Sequence, residues 1–258
     1  MLFKDITYDL NDGVAVIVLN RPENLNGMTA NMRGELLNAI SMATAKARVI
    51  MLTGAGRGFC SGQDLGAGKS VADVDPARVL REEYEPILRA IYESPIPIIC
   101  AVNGPAAGAG ANLALACDIV IAARSAYFME AFSRIGLMPD AGGTWHLPRQ
   151  VGLARAMGMA MFGDAIPAAQ AAEWGLIWEV TEDEDLLVRA GELAARLATG
   201  PTRAYASIRK ALREATSNDY FTQLEREAEM QAELGETNDF AEGVMAFLQK
   251  RKPQFNGR

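Results

Sequence analysis

The stretch IICAVNGPAAGAGANLALACDIVIAA, residues 98–123, carries the pattern that decides the fold class. Residues 98–102 form a short, continuous apolar run, which predicts a buried strand. A glycine-rich turn at 104–110 follows and opens a helix of small residues, which we expect to begin near Ala111. A second apolar run at 118–122 predicts the next strand. Strand, turn, helix and strand in this order indicate an α/β fold with right-handed crossovers.

The same alternation is present earlier in the chain. Residues 2–10 and 13–20 predict a strand pair around Asn11-Asp12-Gly13, because Asp-Gly is a strong hairpin signal. Thr29 is a candidate N-cap for a helix that ends at about Lys46. Further on, the sequence predicts a buried strand at 49–53, a glycine-rich turn at 54–62, a loop over a site at 66–78 and a helix to about residue 92.

Helical patterns dominate the part of the chain after Gly152. The segments that predict helices are 152–162, 167–174, 183–198, 201–216 and 219–250. We therefore expect an α/β core over residues 1–200 and a helical C-terminal region over residues 201–258.

Composition excludes several classes of protein. The 258 residues carry a formal net charge of −7, whereas a nucleic-acid binder needs a clustered basic face. The N-terminus lacks the pattern of a signal peptide, and no run approaches the roughly 18 to 20 apolar residues of a membrane span. The three cysteines lack metal-like spacing. We expect a cytoplasmic protein that binds neither nucleic acid nor membrane and has no catalytic metal.

Two glycine-rich turns are candidate parts of a site. The first is GFCSGQDL at 58–65 and the second is GPAAGAG at 104–110, and each follows a predicted buried strand. Backbone N–H groups at such turns have no partner within the following helix and point at whatever lies in front of it. Two such turns facing one spot could hold an oxygen atom between backbone N–H groups, which is an oxyanion hole. For either turn alone, a simple connection between a strand and a helix is the favoured interpretation.

Both turns, together with NRPENLN at 20–26, LTGAG at 52–56 and AVNG at 101–104, resemble the enoyl-CoA hydratase/isomerase (crotonase) family. The resemblance covers residue 3 to about residue 256. It implies a core built as a spiral of ββα units and a C-terminal helical region that assembles a homotrimer or a hexamer. It also implies an acyl-CoA substrate, with coenzyme A as part of that substrate and no separate cofactor.

The resemblance assigns roles to individual positions. The thioester oxygen would lie between the backbone N–H groups of Gln63 and Ala109. The positions that fall on coenzyme A or substrate-binding segments of the family are Glu23, Leu25, Ser61, Gly62, Asp64, Leu65, Gly108, Asn112 and Phe132.

The acid/base residues separate this chain from the hydratases of the family. Hydratases use two glutamates, and the positions that match them here hold Asn112 and Phe132. Neither residue can activate a water as a general acid or base. Glu130 lies two residues from the second position, but its use would require a slip in an otherwise gapless match. Asp140 falls where some isomerases of the family carry their carboxylate, although Asp before Ala-Gly-Gly is also an ordinary turn residue.

The segment AFSRIGLMPDAGGTW at 131–145 resembles one branch of the family in particular, as does EWGLIW at 173–178. That branch isomerises the ring epoxide 1,2-epoxyphenylacetyl-CoA to oxepin-CoA and can shift a Δ3 double bond to Δ2. The resemblance therefore implies an acyl-CoA isomerase in phenylacetate catabolism, with Asp140 as its proton-transfer group. Two alternatives stay open: a hydratase or other lyase of the same fold, and an inert acyl-CoA-binding member.

Overall fold

The computed structural model describes residues 3–64, 66 and 75–257, and the statements below refer to these residues. Strands β1 (Ile6–Asn11) and β2 (Val14–Leu19) form the predicted hairpin, with the register Asn11 opposite Val14. Asp12 and Gly13 both have positive φ, at 48° and 79°, as a tight two-residue turn with right-handed strand twist requires. The hairpin prediction is confirmed.

A six-stranded sheet forms the centre of the molecule in the order β1-β2-β3-β4-β6-β9. Its other strands are β3 (Val49–Gly54), β4 (Ile98–Val102), β6 (Ile119–Ala123) and β9 (Glu179–Thr181). Only β1 and β2 are antiparallel in this sheet. The parallel strands β3 and β4 are almost wholly buried, which explains why both are continuous apolar runs rather than alternating ones.

Helices cover both faces of this sheet. Helix α1 (Ala30–Lys46) begins at Thr29, whose side chain accepts a hydrogen bond from the Met32 N–H at 3.0 Å. On the opposite face, α8 (Leu186–Ala198) packs its buried alanines against Val49 and Ile99. Because neighbouring residues of a strand point to opposite faces, Ile50 and Ile98 belong instead to the core on the α1 side.

A smaller three-stranded sheet lies beside the second glycine turn. It contains β5 (Ala106–Ala107), β7 (Tyr127–Met129) and β8 (Ile166–Pro167) in the order β5-β7-β8. The Gly108 N–H donates to the Met129 carbonyl at 2.8 Å, which continues the pairing of β5 with β7 into the turn. Helix α4 (Ala109–Leu115) starts immediately afterwards, two residues earlier than the sequence predicts.

The remaining helices largely follow the predicted order. Residues 67–74 of the predicted loop at 66–78 lie outside the described residues. The predicted end of that loop is wrong, because α2 (Pro76–Val79) follows Asp75, whose side chain caps the helix. A π-helical turn (Leu80–Tyr84) joins α2 to α3 (Glu85–Tyr92). Then come α5 (Gly143–Val151), α6 (Leu153–Phe162) and α7 (Ala168–Glu173), and after Pro201 come α9 (Thr202–Glu214), α10 (Tyr220–Gly235) and α11 (Asn238–Leu248).

The single helix predicted over 219–250 is wrong. Helix α10 ends at Gly235, and Thr237 caps a new helix by accepting a hydrogen bond from the Phe240 N–H at 3.1 Å. Within the described residues, no helix is long and apolar enough to cross a membrane.

Candidate active site

The two glycine turns lie side by side. Cys60 and Ala106 form a parallel bridge, and the Ala107 N–H donates to the Cys60 carbonyl at 2.9 Å. The backbones approach so closely that a Cβ atom at Gly110 would overlap the Cys60 carbonyl oxygen. A Cβ at Gly62, which has a φ of +92°, would lie 2.9 Å from the Ala107 oxygen. The glycines are therefore required by direct contact between the turns, which simple connections would not need.

Gln63 and Ala109, the predicted oxyanion donors, occupy this junction. Ala109 is the first residue of α4, so its N–H has no acceptor within the helix. Neither the Ala109 nor the Gln63 N–H donates a hydrogen bond to an atom of the described residues. A Cβ built on Gly62 would lie 3.5 Å from the Ala109 nitrogen, so the two donor-bearing turns are neighbours. Their convergence on one oxygen stays a prediction.

Phe132 lies against the second turn. A Cβ at Gly108, which has a φ of +53°, would be 3.5 Å from the Phe132 Cζ atom. Phe132 itself is buried on the 3₁₀ helix Ala131–Ile135 that follows β7. An apolar ring therefore occupies the position that matches the second hydratase glutamate.

Asp140 lies in the loop between that 3₁₀ helix and α5. Its carbonyl accepts a hydrogen bond from the Gly143 N–H at 2.8 Å, and Ala141 and Gly142 both have positive φ. Asp140 is one of the residues that line a cavity of about 720 Å³. Burial raises the pKa of Asp140 to about 6, and its Oδ1 atom has no hydrogen-bond partner among the described atoms. A carboxyl group in this state can take and return a proton near neutral pH.

The cavity is mostly apolar and aromatic. Its walls come from the α2–α3 segment on one side and from residues 137–146 on the other. Two further carboxylates line it, Glu85 and Glu93, but both are exposed and pair with Arg89 at 2.9 and 3.1 Å. Among the described lining residues, Asp140 is the carboxylate without a cationic partner. An inert acyl-CoA-binding protein would be favoured if Asp140 had no access to the cavity, but Asp140 lines it.

Glu130 is a site residue that the sequence analysis did not place. It is 1% exposed, and its Oε2 atom accepts a hydrogen bond from the Asn112 Nδ2 atom at 3.3 Å. The same amide nitrogen donates to the Asp140 carbonyl at 2.9 Å. Burial is the main reason that the pKa of Glu130 rises to about 7, and the charge of Asp140 raises it further. Glu130 thus lies behind Asn112, next to Asp140 but outside the cavity lining.

Tyr84 is a second residue that sequence reasoning missed. Its side chain is buried and lines the cavity. Burial is the main reason that the pKa of Tyr84 is raised, and the charge of Asp140 adds to the rise. Tyr84 falls within a predicted helix, and no sequence motif distinguishes it from the other residues of that helix. The lone histidine, His146, lines the same cavity. Burial, together with Arg213 and Arg149, lowers the pKa of His146 to about 4, so it is neutral at pH 7.

The predicted coenzyme A positions cluster elsewhere, along the outer side of the first turn. Leu25 has a φ of 48°, and its carbonyl accepts a hydrogen bond from the Ser61 N–H at 2.9 Å. Asp64 forms an ion pair with Arg21 at 2.7 Å, and Glu23 is exposed on the short 3₁₀ helix Pro22–Asn24. Leu65, the remaining predicted contact, lies outside the described residues. No cluster of His, Cys, Asp or Glu that could hold a metal occurs in the described part of the chain.

The sequence profile of the enoyl-CoA hydratase/isomerase family matches residues 9–258. The chain therefore belongs to that family, and the resemblance noted from its motifs is confirmed. A crystal structure of an enoyl-CoA hydratase/isomerase homologue from Mycobacterium abscessus has the same fold, with a TM-score of 0.93. It is 40% identical to this chain, and the match covers 98% of this chain and 100% of that one. The predicted crotonase-like α/β fold with a C-terminal helical region is thereby confirmed.

The names of two curated relatives bear on the activity of the protein. A protein of Rhodobacter capsulatus named "probable enoyl-CoA hydratase" is 57% identical over the full length of both chains. The 1,2-epoxyphenylacetyl-CoA isomerase of Escherichia coli is 49% identical, covering 95% of this chain and 96% of the relative. These names support an enzyme that acts on acyl-CoA, and they leave isomerase and hydratase activity to be distinguished.

Proposed function

We propose that this protein is an acyl-CoA isomerase that works through a thioester enolate. The proposed substrate is 2-(1,2-epoxy-1,2-dihydrophenyl)acetyl-CoA and the product is oxepin-CoA, as a step of phenylacetate catabolism. A Δ3-to-Δ2 shift in an enoyl-CoA would be a second reaction of the same site.

One observation carries the proposal: Asp140, which has no cationic partner among the described residues, lines a mostly apolar cavity of about 720 Å³. Both proposed reactions require one base that removes a proton from the carbon next to the thioester. The electron pair left behind moves onto the thioester oxygen, which the Gln63 and Ala109 N–H groups are proposed to stabilise. In the Δ3-to-Δ2 shift the proton then returns to the far carbon of the former double bond. In the epoxide, the ring bond between the two oxygen-bearing carbons also breaks, which expands the ring to the seven-membered oxepin, and the proton returns to a ring carbon. A single carboxyl group can therefore serve as base and then as acid.

The cavity also fits the proposed acyl group. Tyr84, Tyr92 and Trp145 bring aromatic rings to its wall, and Tyr92 and Trp145 meet edge to face at 6.3 Å. A cyclic, apolar acyl group gains free energy when it leaves water for such a wall. The 49% identical isomerase from Escherichia coli supports the same choice of substrate.

Hydration of a 2-enoyl-CoA is the second candidate, because the 57% identical relative is named a probable hydratase. Two features argue against it. Asn112 and Phe132 occupy the positions that match the hydratase glutamates, and Glu130 is buried behind Asn112 rather than facing the cavity. Among the described lining residues, a water in the cavity would therefore meet one carboxylate that is not paired with a cation, whereas hydration in this family uses two.

Binding and assembly complete the proposal. Coenzyme A is expected along the first turn, where the exposed Glu23 and Ser61 lie beside Leu25. We infer a homotrimer or hexamer in the cytoplasm, with no metal or separate cofactor.

Separate incubation of the purified protein with three thioesters tests the proposal: epoxyphenylacetyl-CoA, a 3-enoyl-CoA and a 2-enoyl-CoA. We expect oxepin-CoA from the first, a conjugated 2-enoyl-CoA from the second and no hydrated product from the third. Rapid hydration without isomerisation would replace the proposed function with the second candidate.

A further inference from the structure

The Asn112 side chain joins two carboxylic residues. Its Nδ2 atom donates to Glu130 Oε2 at 3.3 Å and to the Asp140 carbonyl at 2.9 Å. The residue is fully buried, and a Cβ at Gly143 would overlap its amide, so α5 closes over it. The amide therefore has little freedom to move without moving the loop that carries Asp140.

We propose that Glu130 is a positioning residue for the isomerisation: it holds the Asn112 amide against the Asp140 loop. As the neutral acid, it leaves Asp140 as the negative charge without a cationic partner among the described residues of the site. This inference rests on the proposed function, because it assumes that Asp140 is the base. Glu130 does not line the cavity, so it acts on the substrate only through its neighbours.

The order of ionisation supports this division of roles. Burial raises the pKa of Asp140 to about 6, whereas the pKa of Glu130 reaches about 7. For Glu130 the causes are burial and the Asp140 charge, opposed by the Asn112 N–H. Because Glu130 is 1% exposed whereas Asp140 lines the cavity, desolvation disfavours the charged form of Glu130 more strongly, and we expect Asp140 to ionise first as pH rises. Two charged carboxylates in an apolar site repel each other, so the second group ionises at a higher pH than the first.

Few other charges act on Glu130. On the adjoining 3₁₀ helix, Arg134 is exposed and pairs with Asp164 at 3.5 Å. On α6, which packs against that helix, Arg155 lies over the Trp174 ring at 5.0 Å. Helix α4 faces Glu130 with the amide of Asn112, which does not titrate. Among the described residues, Asp140 is the ionisable group whose charge shifts the pKa of Glu130.

A negative charge on Glu130 would oppose catalysis. Glu130 directly follows Met129, whose carbonyl accepts the Gly108 N–H at the second turn. The proposed enolate oxygen forms beside that turn, so an ionised Glu130 would raise the free energy of the enolate. It would also bind the Asn112 amide more strongly, because hydrogen bonds to charged acceptors are stronger, and would draw it from the Asp140 carbonyl.

The test compares Glu130→Gln with Glu130→Leu in the full-length protein. Gln keeps an oxygen that can accept the Asn112 hydrogen bond but cannot ionise, whereas Leu keeps similar volume without an acceptor. Asp164→Asn is the matched control, since it removes an exposed carboxyl group from the same neighbourhood. For each variant, kcat and KM for the thioester that the wild-type protein isomerises would be measured between about pH 5 and pH 9.

For the wild-type enzyme we expect kcat/KM to fall on both sides of a maximum, by about tenfold or more toward pH 9. In Glu130→Gln the acid side should remain and the alkaline fall should disappear, whereas Asp164→Asn should match the wild type. Glu130→Leu should lower kcat by about tenfold or more, with KM within about twofold, because the Asp140 loop loses its anchor.

Two results would overturn the inference: an unchanged alkaline fall in Glu130→Gln, or wild-type kcat in Glu130→Leu. A wild-type protein that isomerises none of the thioesters would instead overturn the proposed function. In that case, NMR of protein with ¹³C-labelled glutamate carboxyls still tests Glu130, by comparison with Glu130→Gln. A Glu130 signal that titrates at the ordinary glutamate pKa would refute the inference independently of activity.

Discussion

The carbonyl oxygen of Cys60 accepts a hydrogen bond from the N–H of Ala107 at 2.9 Å, which ties the two glycine turns together. The bond is between backbone atoms, and so are the two donors proposed to hold the thioester oxygen. Replacement of one side chain by another therefore leaves these donors in place, unless the new residue is proline, which has no backbone N–H. A substitution that deletes a backbone N–H is the direct test of the oxyanion hole.

Ala109→Pro should lower turnover by about 100-fold or more, because it removes one of the two donors. The position suits the experiment, since Ala109 is the first residue of α4 and proline is tolerated at the first helical position. Steady-state kinetics gives the turnover, and circular dichroism with thermal unfolding checks the fold. Retention of near wild-type turnover would contradict an oxyanion role for Ala109.

Leu153→Pro provides a matched control. Leu153 is the first residue of α6, is exposed and follows a glycine with positive φ, as Ala109 does. It does not line the cavity, so this variant should keep wild-type turnover. Equal losses in both variants would point to misfolding rather than to a lost donor.

Asp140→Asn should reduce isomerisation by about 100- to 10,000-fold, the usual contribution of general acid/base catalysis. Asparagine keeps the shape of the side chain but cannot accept the proton, so KM should change little. Glu93→Gln is the control, because it removes another carboxylate from the same cavity and should leave kcat near the wild-type value. Near wild-type activity of Asp140→Asn would exclude Asp140 as the base.

The sequence predicted the elements that follow from local pattern. The Asp12-Gly13 hairpin, the Thr29 cap and the buried strand at Ile98–Val102 each depend on residues that are close along the chain. The glycine turns were also recognised as candidate donors. Their contact with each other, shown by the space missing at Gly110, is a tertiary fact that only the fold reveals.

Glu130 could not have been placed from the sequence. Matching the hydratase pattern puts Phe132 in the catalytic position, and nothing local shows which way Glu130 points as β7 passes into a 3₁₀ helix. Its environment comes from Asn112 and Asp140. Asn112 lies 18 residues before Glu130 and 28 residues before Asp140, on a different element. The break between α10 and α11 did leave a local signal, because Gly235 and Thr237 are a typical helix end and cap.

The free energy of unfolding should depend on pH through Glu130. Its pKa is about 7 in the folded protein, against 4.5 for an ordinary glutamate. Because Glu130 binds its proton more tightly in the folded protein, protonation of Glu130 stabilises the fold. This contribution to the free energy of unfolding is fully present below about pH 4.5 and is lost as pH rises to about 7. Glu130→Gln lacks this loss, so urea unfolding should show its stability gaining about 3 kcal/mol on the wild type between these pH values. A constant difference would contradict the raised pKa.

Exposed apolar side chains on the C-terminal helices predict assembly. Phe221 and Phe247 are 78% and 82% exposed in the single chain, which is costly in water unless another subunit covers them. Sedimentation should give a trimer or a hexamer at micromolar concentration. Phe247→Glu should shift the protein toward smaller species, and Phe247→Leu should not, since it keeps an apolar contact. A wild-type monomer would refute the predicted assembly.

Asn112→Asp should not create a hydratase, although it restores a carboxylate at the position that matches the first hydratase glutamate. The second position still holds Phe132, so no pair of carboxylates faces a water in the cavity. Aspartate also cannot donate to Glu130 or to the Asp140 carbonyl, and isomerisation should fall by about tenfold or more. Asn38→Asp, an exposed change of the same chemistry on α1, is the control and should keep wild-type activity. Hydration of a 2-enoyl-CoA by Asn112→Asp, followed by loss of the enoyl-thioester absorbance, would mean that the site already holds the second acid/base group, and Glu130 would be the residue to replace next.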